Sequence, residues 1–561
     1  MMQELISLHI RTERLISFSW LVSTMVVLAA CSPSESNVSL GNRTGVLYYG
    51  IGSEVQTLDP HVVSDTIAWE ISGALFEGLI RHDPETMQPE PGVAQSWDIS
   101  DDGMTVVFHL NPQARWSNGD SVTAEDFVWS WRRSLHPAMG NVLIDSMYPI
   151  KNAEPYSKGL IEDPEALGVR ALGPHTLQVE LENPTPHLFS LLDSPIAAPV
   201  HRPTIEAHGA PMARYTKWTR VENMVSNGPF RLAQWKMYRF LRVERSETYW
   251  DANNVALNAI VFKPVDSDTV EEKMFRAGQL HVTYQLPVTK IPAYKAVVDS
   301  PYVEAPLLGS YYYLFNIDRP PVDDIRVREA LSLAIDRDLL VEKVLLGTER
   351  PSASMVPAGI PGYAAQQHAV FNPDRARELL AEAGYPDGAG WPGLELFYNT
   401  SENHRRIAVA AQQMWKEHLN LDIELTNQEW KVYLDTVDSR KFRMARMSWI
   451  GSFPGPGTFL DRFVTGGASN RIGFSSERYD ELIQQIAPKA KSRDLRFDFM
   501  SEAEKIFMQE VPVIPLYNRN GKHLVQPSVQ GYYPNILEYR NFKQVSLDPD
   551  AGVWQWPSED E

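Results

Sequence analysis

Cysteine occurs once in the 561 residues, at Cys31. A chain with one thiol has no internal disulfide and no thiolate metal cluster, and once Cys31 is committed elsewhere it has no thiol nucleophile. Basic residues are outnumbered, 52 Lys and Arg against 71 Asp and Glu, giving a net charge of -19. No long Lys/Arg run breaks that balance, which argues against nucleic acid as a partner because phosphate binding needs a basic surface. Also missing are H-E-x-x-H, G-x-S-x-G, a P-loop and a strand-borne G-x-G-x-x-G, the motifs that best mark exported hydrolases and nucleotide enzymes. The 14 histidines are scattered, without an i, i+4 pair on a recognisable helix. No metal, cofactor or catalytic group is expected, although a carboxylate pair of the glycosidase kind is not ruled out by one sequence.

Long apolar runs are absent after residue 30. Before it, Arg11 and Arg14 precede the apolar stretch from Leu15 to Ala30, and Leu28-Ala29-Ala30 leads into Cys31. That pattern reads as a signal peptide over 1–30 with lipidation at Cys31; the alternative is an uncleaved membrane anchor. Residues 31–44 are rich in Ser and Asn and read as a flexible, lipid-anchored linker. The mature chain is then exported and tethered, with the identity of the membrane open.

What is present is alternation. Val46-Leu47-Tyr48-Tyr49 opens the folded body, and Met104 to Leu110 and His175 to Glu182 read as strands. Thr123, with Asp126 three positions on, forms a capping box, and Phe127, Trp131 and Leu135 share one helical face fit for core packing. Helices are predicted over 325–335, from Asn372-Pro373 to Gly384, and over 404–419, the last feeding a strand at 421–425. The fold class is mixed α/β, with helices over some of the sheets. Fifteen Trp, 22 Tyr and 21 Phe, including Tyr311-Tyr312-Tyr313, suit an aromatic-lined cleft or an ordinary large core. On sequence alone, His404 beside Arg405 and Arg406 reads as a surface residue at a helix start.

Nine segments in order carry a resemblance: "GSEVQTLDPH" (52–61), "LFEGLI" (75–80), "PGVAQSWDIS" (91–100), "FHLNPQARWSNGDSVTAEDFVWSWRRSLHP" (108–137), "NGPFRL" (227–232), "YYYLFNIDRPPVDDIRVREALSLAIDRD" (311–338), "LLAEAGYP" (379–386), "LFYNTSENHRRIAVAAQQMWK" (396–416) and "NQEWKVYLDT" (427–436). Together they resemble the oligopeptide-binding proteins of ABC importers, the family 5 extracytoplasmic solute receptors. The resemblance implies a two-lobed periplasmic-binding-protein fold of the class II, cluster C type, with an extra small domain inserted in the first lobe. Lobe I would comprise 45–76, 201–305 and 521–561, the inserted domain 77–200, and lobe II 306–520. It implies a monomer that closes around a peptide or peptide-like solute and hands it to ABC permease subunits without catalysis. A sensor signalling to a membrane partner, and an exported hydrolase, are the alternatives.

Site residues follow from the same resemblance. Arg446 matches an arginine that pairs with a peptide carboxylate, and His404 a histidine serving longer peptides. Trp449 and Trp430 match aromatics around side-chain pockets. Ile450, Gly451 and Ser452, and the segment Val63, Ser64 and Asp65, match main-chain stretches that pair with the ligand backbone. One departure stands out: Ser452 replaces the aspartate that receives the ligand's α-amine, within Trp449-Ile450-Gly451-Ser452-Phe453. A buried ammonium without its partner loses about 2 to 5 kcal/mol. Asp65, Glu54 and Asp461 are the candidate substitutes. Leu345 stands at a lysine position of some members, and Gly309 and Ile450 at those of a cysteine pair. Pro454-Gly455-Pro456-Gly457 is either a stiff turn using φ > 0 at glycine or a reshaped terminal pocket.

Overall fold

The computed structural model describes residues 35–368 and 370–557. The signal segment and Cys31 lie outside the described residues.

Three main sheets carry the fold. In the first, Val46–Gly50 pairs in parallel with Ala259–Lys263, which continues antiparallel through Phe240–Arg245 to Phe230–Lys236. The second is wholly antiparallel, in the order Ala94–Ile99, Thr105–Leu110, Thr176–Glu180 and Val169–Gly173. The third has six strands, from Arg350–Pro351 through Val513–Leu524, Tyr302–Phe315, Met444–Ile450 and Leu394–Asn399 to Ile423–Gln428. Each has its own apolar core, and the chain passes between the first and third sheets on a narrow seam. There Val282 bridges both Tyr49 and Val525. The paired strands Tyr302–Phe315 and Val513–Leu524 run on from that seam, with a register break between Pro306 and Ser310.

The tyrosine run shows why composition alone could not decide between cleft and core. Successive strand residues point to opposite faces. Tyr311, Tyr313 and Phe315 enter one core with Trp415 and Ile407, while Tyr312 and Leu314 enter another with Phe459 and Phe507. A sheet covered on both faces needs apolar residues without alternation. The helix Ala124–Ser134 has the capping box of Thr123 and Asp126, and Phe127, Trp131 and Leu135 are core residues of the second sheet's layer.

One expectation is corrected. Residues 37–44 of the supposed flexible linker form a helix, Asn37–Thr44, with Ser36 as N-cap accepting from the Ser39 amide and Gly45 in the left-handed conformation at its end. It is docked: Val38 N donates to Gly278 O at 2.9 Å, Asn42 Nδ2 to Ala551 O at 3.0 Å, and Val38 is buried. A Cβ at Gly41 would come 2.3 Å from Val46 O, so the helix sits tightly on the first strand. The folded body therefore begins before Val46.

Candidate ligand-binding cleft

A cavity of about 270 Å³ lies where the three layers meet. The strand Met444–Ile450 brings Arg446 to its wall opposite Tyr313 in the neighbouring strand. The guanidinium lies 4.7 Å from the Tyr311 ring centroid, a cation–π distance, and donates to Asn399 Oδ1 at 3.1 Å. It is only 7% exposed, its Nε meets no acceptor, and it forms no carboxylate pair among the described residues. A buried cation without a counter-ion is costly unless something else supplies the charge.

His404 stands beside it. Ser401 caps the helix Glu402–Leu419 by accepting from the His404 amide, so the His404 ring leaves the first turn into the cleft and is half-buried, not on the outer surface. Its Nδ1 is 3.3 Å from Tyr311 Oη. Burial, then the Arg446 and Arg519 guanidinia, holds the imidazole well below its ordinary value, so it is neutral at physiological pH.

The opposite wall is acidic. Asp65 is the N-cap of the helix Thr66–Leu75; Oδ1 accepts from Ala68 N at 3.0 Å, while Oδ2 is buried without a partner. Burial pushes this carboxyl up to about 6 against the main-chain hydrogen bonds and the pull of the nearby Trp430 indole N–H. Glu70, on the same helix, has a partnerless Oε2, and burial, only partly offset by Arg540, pushes it up to about 8. The two acids are 9% and 8% exposed. Glu538 differs: burial opposes its charge, yet His523, Arg519 and Arg540 bring it down to about 2.

The structure brings Arg446, His404, Trp449, Trp430, Ile450, Gly451, Ser452, Ser64 and Asp65 to one cavity. Val63 is not on it: its side chain is core and its carbonyl accepts from Asn141 Nδ2 at 3.3 Å. Two amides expected to face a ligand backbone are occupied, Gly451 N by Leu308 O at 2.8 Å and Ser452 N by Thr458 Oγ1 at 2.9 Å. Trp69, Glu70, Arg519, Glu538 and Arg540 also line the cavity and were not anticipated, since they lie in three distant segments without a shared motif.

The neutral loop packs by close approach. None of Gly451, Gly455 and Gly457 has positive φ. A Cβ at Gly451 would meet Thr458 and Leu308 at 2.8 and 2.9 Å, and one at Gly457 would meet Asp461 Oδ2 at 3.0 Å. Phe453 stacks on His187 with centroids 4.0 Å apart. Past Ser452 the cleft continues into a second chamber of about 410 Å³, bordered by Asp145 and Asp461. Trp449 stands between the two, its indole under Arg462 at 3.5 Å and its Nε1 donating to Thr458 O at 2.8 Å.

This geometry has close counterparts. The periplasmic oligopeptide-binding protein OppA of Escherichia coli is 34% identical over 534 residues, 91% of this chain and 93% of that protein. Haemophilus influenzae OppA in complex with RPPGFSPFR superposes with a TM-score of 0.86 at 29% identity, covering 90% of this chain and 99% of that one. The murein tripeptide binding protein MppA of E. coli gives 0.84 at 32% identity, with 90% and 98% covered. MppA in its unliganded open form gives only 0.60, at 31% identity with 92% and 99% covered. The profile of bacterial extracellular solute-binding proteins, family 5, matches residues 88–471, and the chain belongs to that family.

Proposed function

We propose that this chain is the receptor of an ABC importer, binding a peptide or peptide-like solute between its lobes and passing it to the permease. Residues 45–76, 201–305 and 521–561 are assigned to lobe I, 77–200 to the inserted domain and 306–520 to lobe II. The relatives are binding proteins, and this chain captures its solute without turning it over. It acts as a monomer on the outer side of a bacterial membrane, held there by lipid on Cys31; no helix among the described residues is long and apolar enough to cross one.

One observation carries the reading: Arg446, buried in the cleft wall without an acid of its own. Its fork of donors suits a carboxylate, and the neutral His404 beside it offers a further hydrogen bond. Family relatives whose names record oligopeptide and murein peptide binding support a peptide-like ligand. Native mass spectrometry of residues 32–561, purified without denaturation, should reveal a co-purified ligand bearing a carboxylate. In calorimetric titrations with that ligand, Arg446→Ala should weaken binding by about tenfold to a thousandfold. Equal affinity in variant and parent would remove Arg446 from the site.

A further inference from the structure

A peptide whose carboxylate rests on Arg446 has a cationic end to place, and the loop 448–457 contains no acidic residue. Other acids near the cleft are spent. Glu54 accepts from Trp235 Nε1 at 2.9 Å and from the Tyr238 amide. Asp193 pairs with His82 Nδ1 at 2.7 Å, and Glu538 is held by His523, Arg519 and Arg540. Glu70 has a free oxygen but Arg540 close by. Asp461 borders the second chamber with Asp145, not the cavity of Arg446.

Asp65 is left. Its Oδ1 accepts from the helix it caps, its Oδ2 is buried, and the residue lines the cavity and forms no ion pair among the described residues. Trp430 turns its indole N–H toward this carboxyl from the facing helix without completing a hydrogen bond of normal geometry, so a ligand ammonium would join that N–H as a second donor to Asp65.

We propose that Asp65 Oδ2 is the acceptor for the ligand's ammonium group, so that ammonium and carboxylate are held by opposite lobes, Asp65 on one and Arg446 on the other. The inference rests on the peptide reading above. An ammonium lodged at Asp65 ties the first lobe to the ligand, while Arg446 ties the second, and each charge favours the closed state. Selectivity for a free amine then resides in the cap of the Thr66–Leu75 helix, not in the loop at Ser452.

Asp65→Asn is the informative variant, because Asn caps a helix as well as Asp and the fold is kept. The probe is an equimolar pool of tri- to hexapeptides, half of them N-acetylated, competed for the protein and read by native mass spectrometry. The parent should enrich free-amine members by about tenfold or more. Asp65→Asn should bring that ratio close to unity while still capturing acetylated members, and Asp461→Asn should leave it unchanged. The parent's enrichment should also grow from about pH 5 to pH 7 as Asp65 ionises. The groups facing Asp65 are Glu70 on its own helix, and Trp430 and Asp438 on the helix opposite, where Arg471 pairs with Asp438 at 2.8 Å. An enrichment surviving in Asp65→Asn, abolished in Asp461→Asn, or absent from the parent overturns the assignment while leaving Arg446 to its own test. If the parent captures no member of the pool, the peptide reading falls and this inference with it.

Discussion

Two sets of buried charge coexist in this protein, and they are built differently. Away from the ligand wall, Arg133 is fully enclosed and fully used: it bonds both oxygens of Asp59 at 3.0 and 2.6 Å, Pro211 O at 2.8 Å and His61 Nδ1 at 2.8 Å. Burial, then Arg133 itself, lowers His61 to about 4, so its neutral ring accepts from Arg133 and donates through Nε2 to Ala198 O. Glu77 is similarly satisfied by Arg81 Nε at 2.8 Å, Trp250 Nε1 at 2.6 Å and the Tyr249 hydroxyl. In the cleft, Arg446, Asp65 and Glu70 are nearly as buried yet keep atoms without partners. Asp268, outside the cleft, is also buried with both oxygens partnerless, but in the cleft such atoms on a cation and on acids border one cavity that another molecule can fill.

Breaking the first set should cost most. Arg133→Ala strands the Asp59 carboxylate and should lower unfolding free energy by about 3 to 5 kcal/mol, measured by urea denaturation. Arg446→Ala should change the same unfolding free energy by less than about 1 kcal/mol without added ligand, because it removes an uncompensated cation. Comparable losses at both positions would erase the distinction. Glu70 gives a smaller test with a defined sign. Its carboxyl is raised from 4.5 to about 8 on folding, so its favourable contribution is complete below about pH 4.5 and is lost as pH rises through about 8. Without added ligand, Glu70→Gln should flatten that fall, and thermal melts at about pH 6 and pH 9 should show a smaller difference in the variant than in the parent. An unchanged difference would mean that Glu70 is already matched by Arg540.

Much of the frame was legible because it is local. The capping box at Thr123, the alternation in 176–180 and the Asn372 cap each reside within a few residues, and the structure places them as read. The resemblance put Ile450 to Ser452 on the cavity, where neighbours in sequence are neighbours in space, but it did not foresee that the Gly451 and Ser452 amides are already bonded. The site was not legible where the cleft is assembled from remote pieces: Glu70 on the helix Thr66–Leu75, Arg519 on the strand Val513–Leu524, and Glu538 and Arg540 in an irregular segment near residue 540. The Asn37–Thr44 helix escaped because Ser, Gly and Asn are poor helix formers, and its stability comes from tertiary contacts at Val38 and Asn42. His404 was misplaced on sequence alone because charged neighbours at 405 and 406 describe the helix's outer face and say nothing of the inner one.

The smallest expected effect is the sharpest test of where the acidic side of the cleft lies. Ser452→Asp puts a carboxylate in the loop, next to Thr458, whose hydroxyl already accepts from the Ser452 amide at 2.9 Å and lies 3.2 Å from its Oγ. If Asp65 holds the ligand's ammonium, a second acid adds little, and free-amine peptide affinity by calorimetry should change by less than about threefold. If the ammonium instead sits at the loop, the new carboxylate meets it directly, and affinity should rise by about tenfold or more. That gain would move the cation from the first wall to the second, and Asp65 would revert to a helix cap with a buried oxygen that serves no ligand.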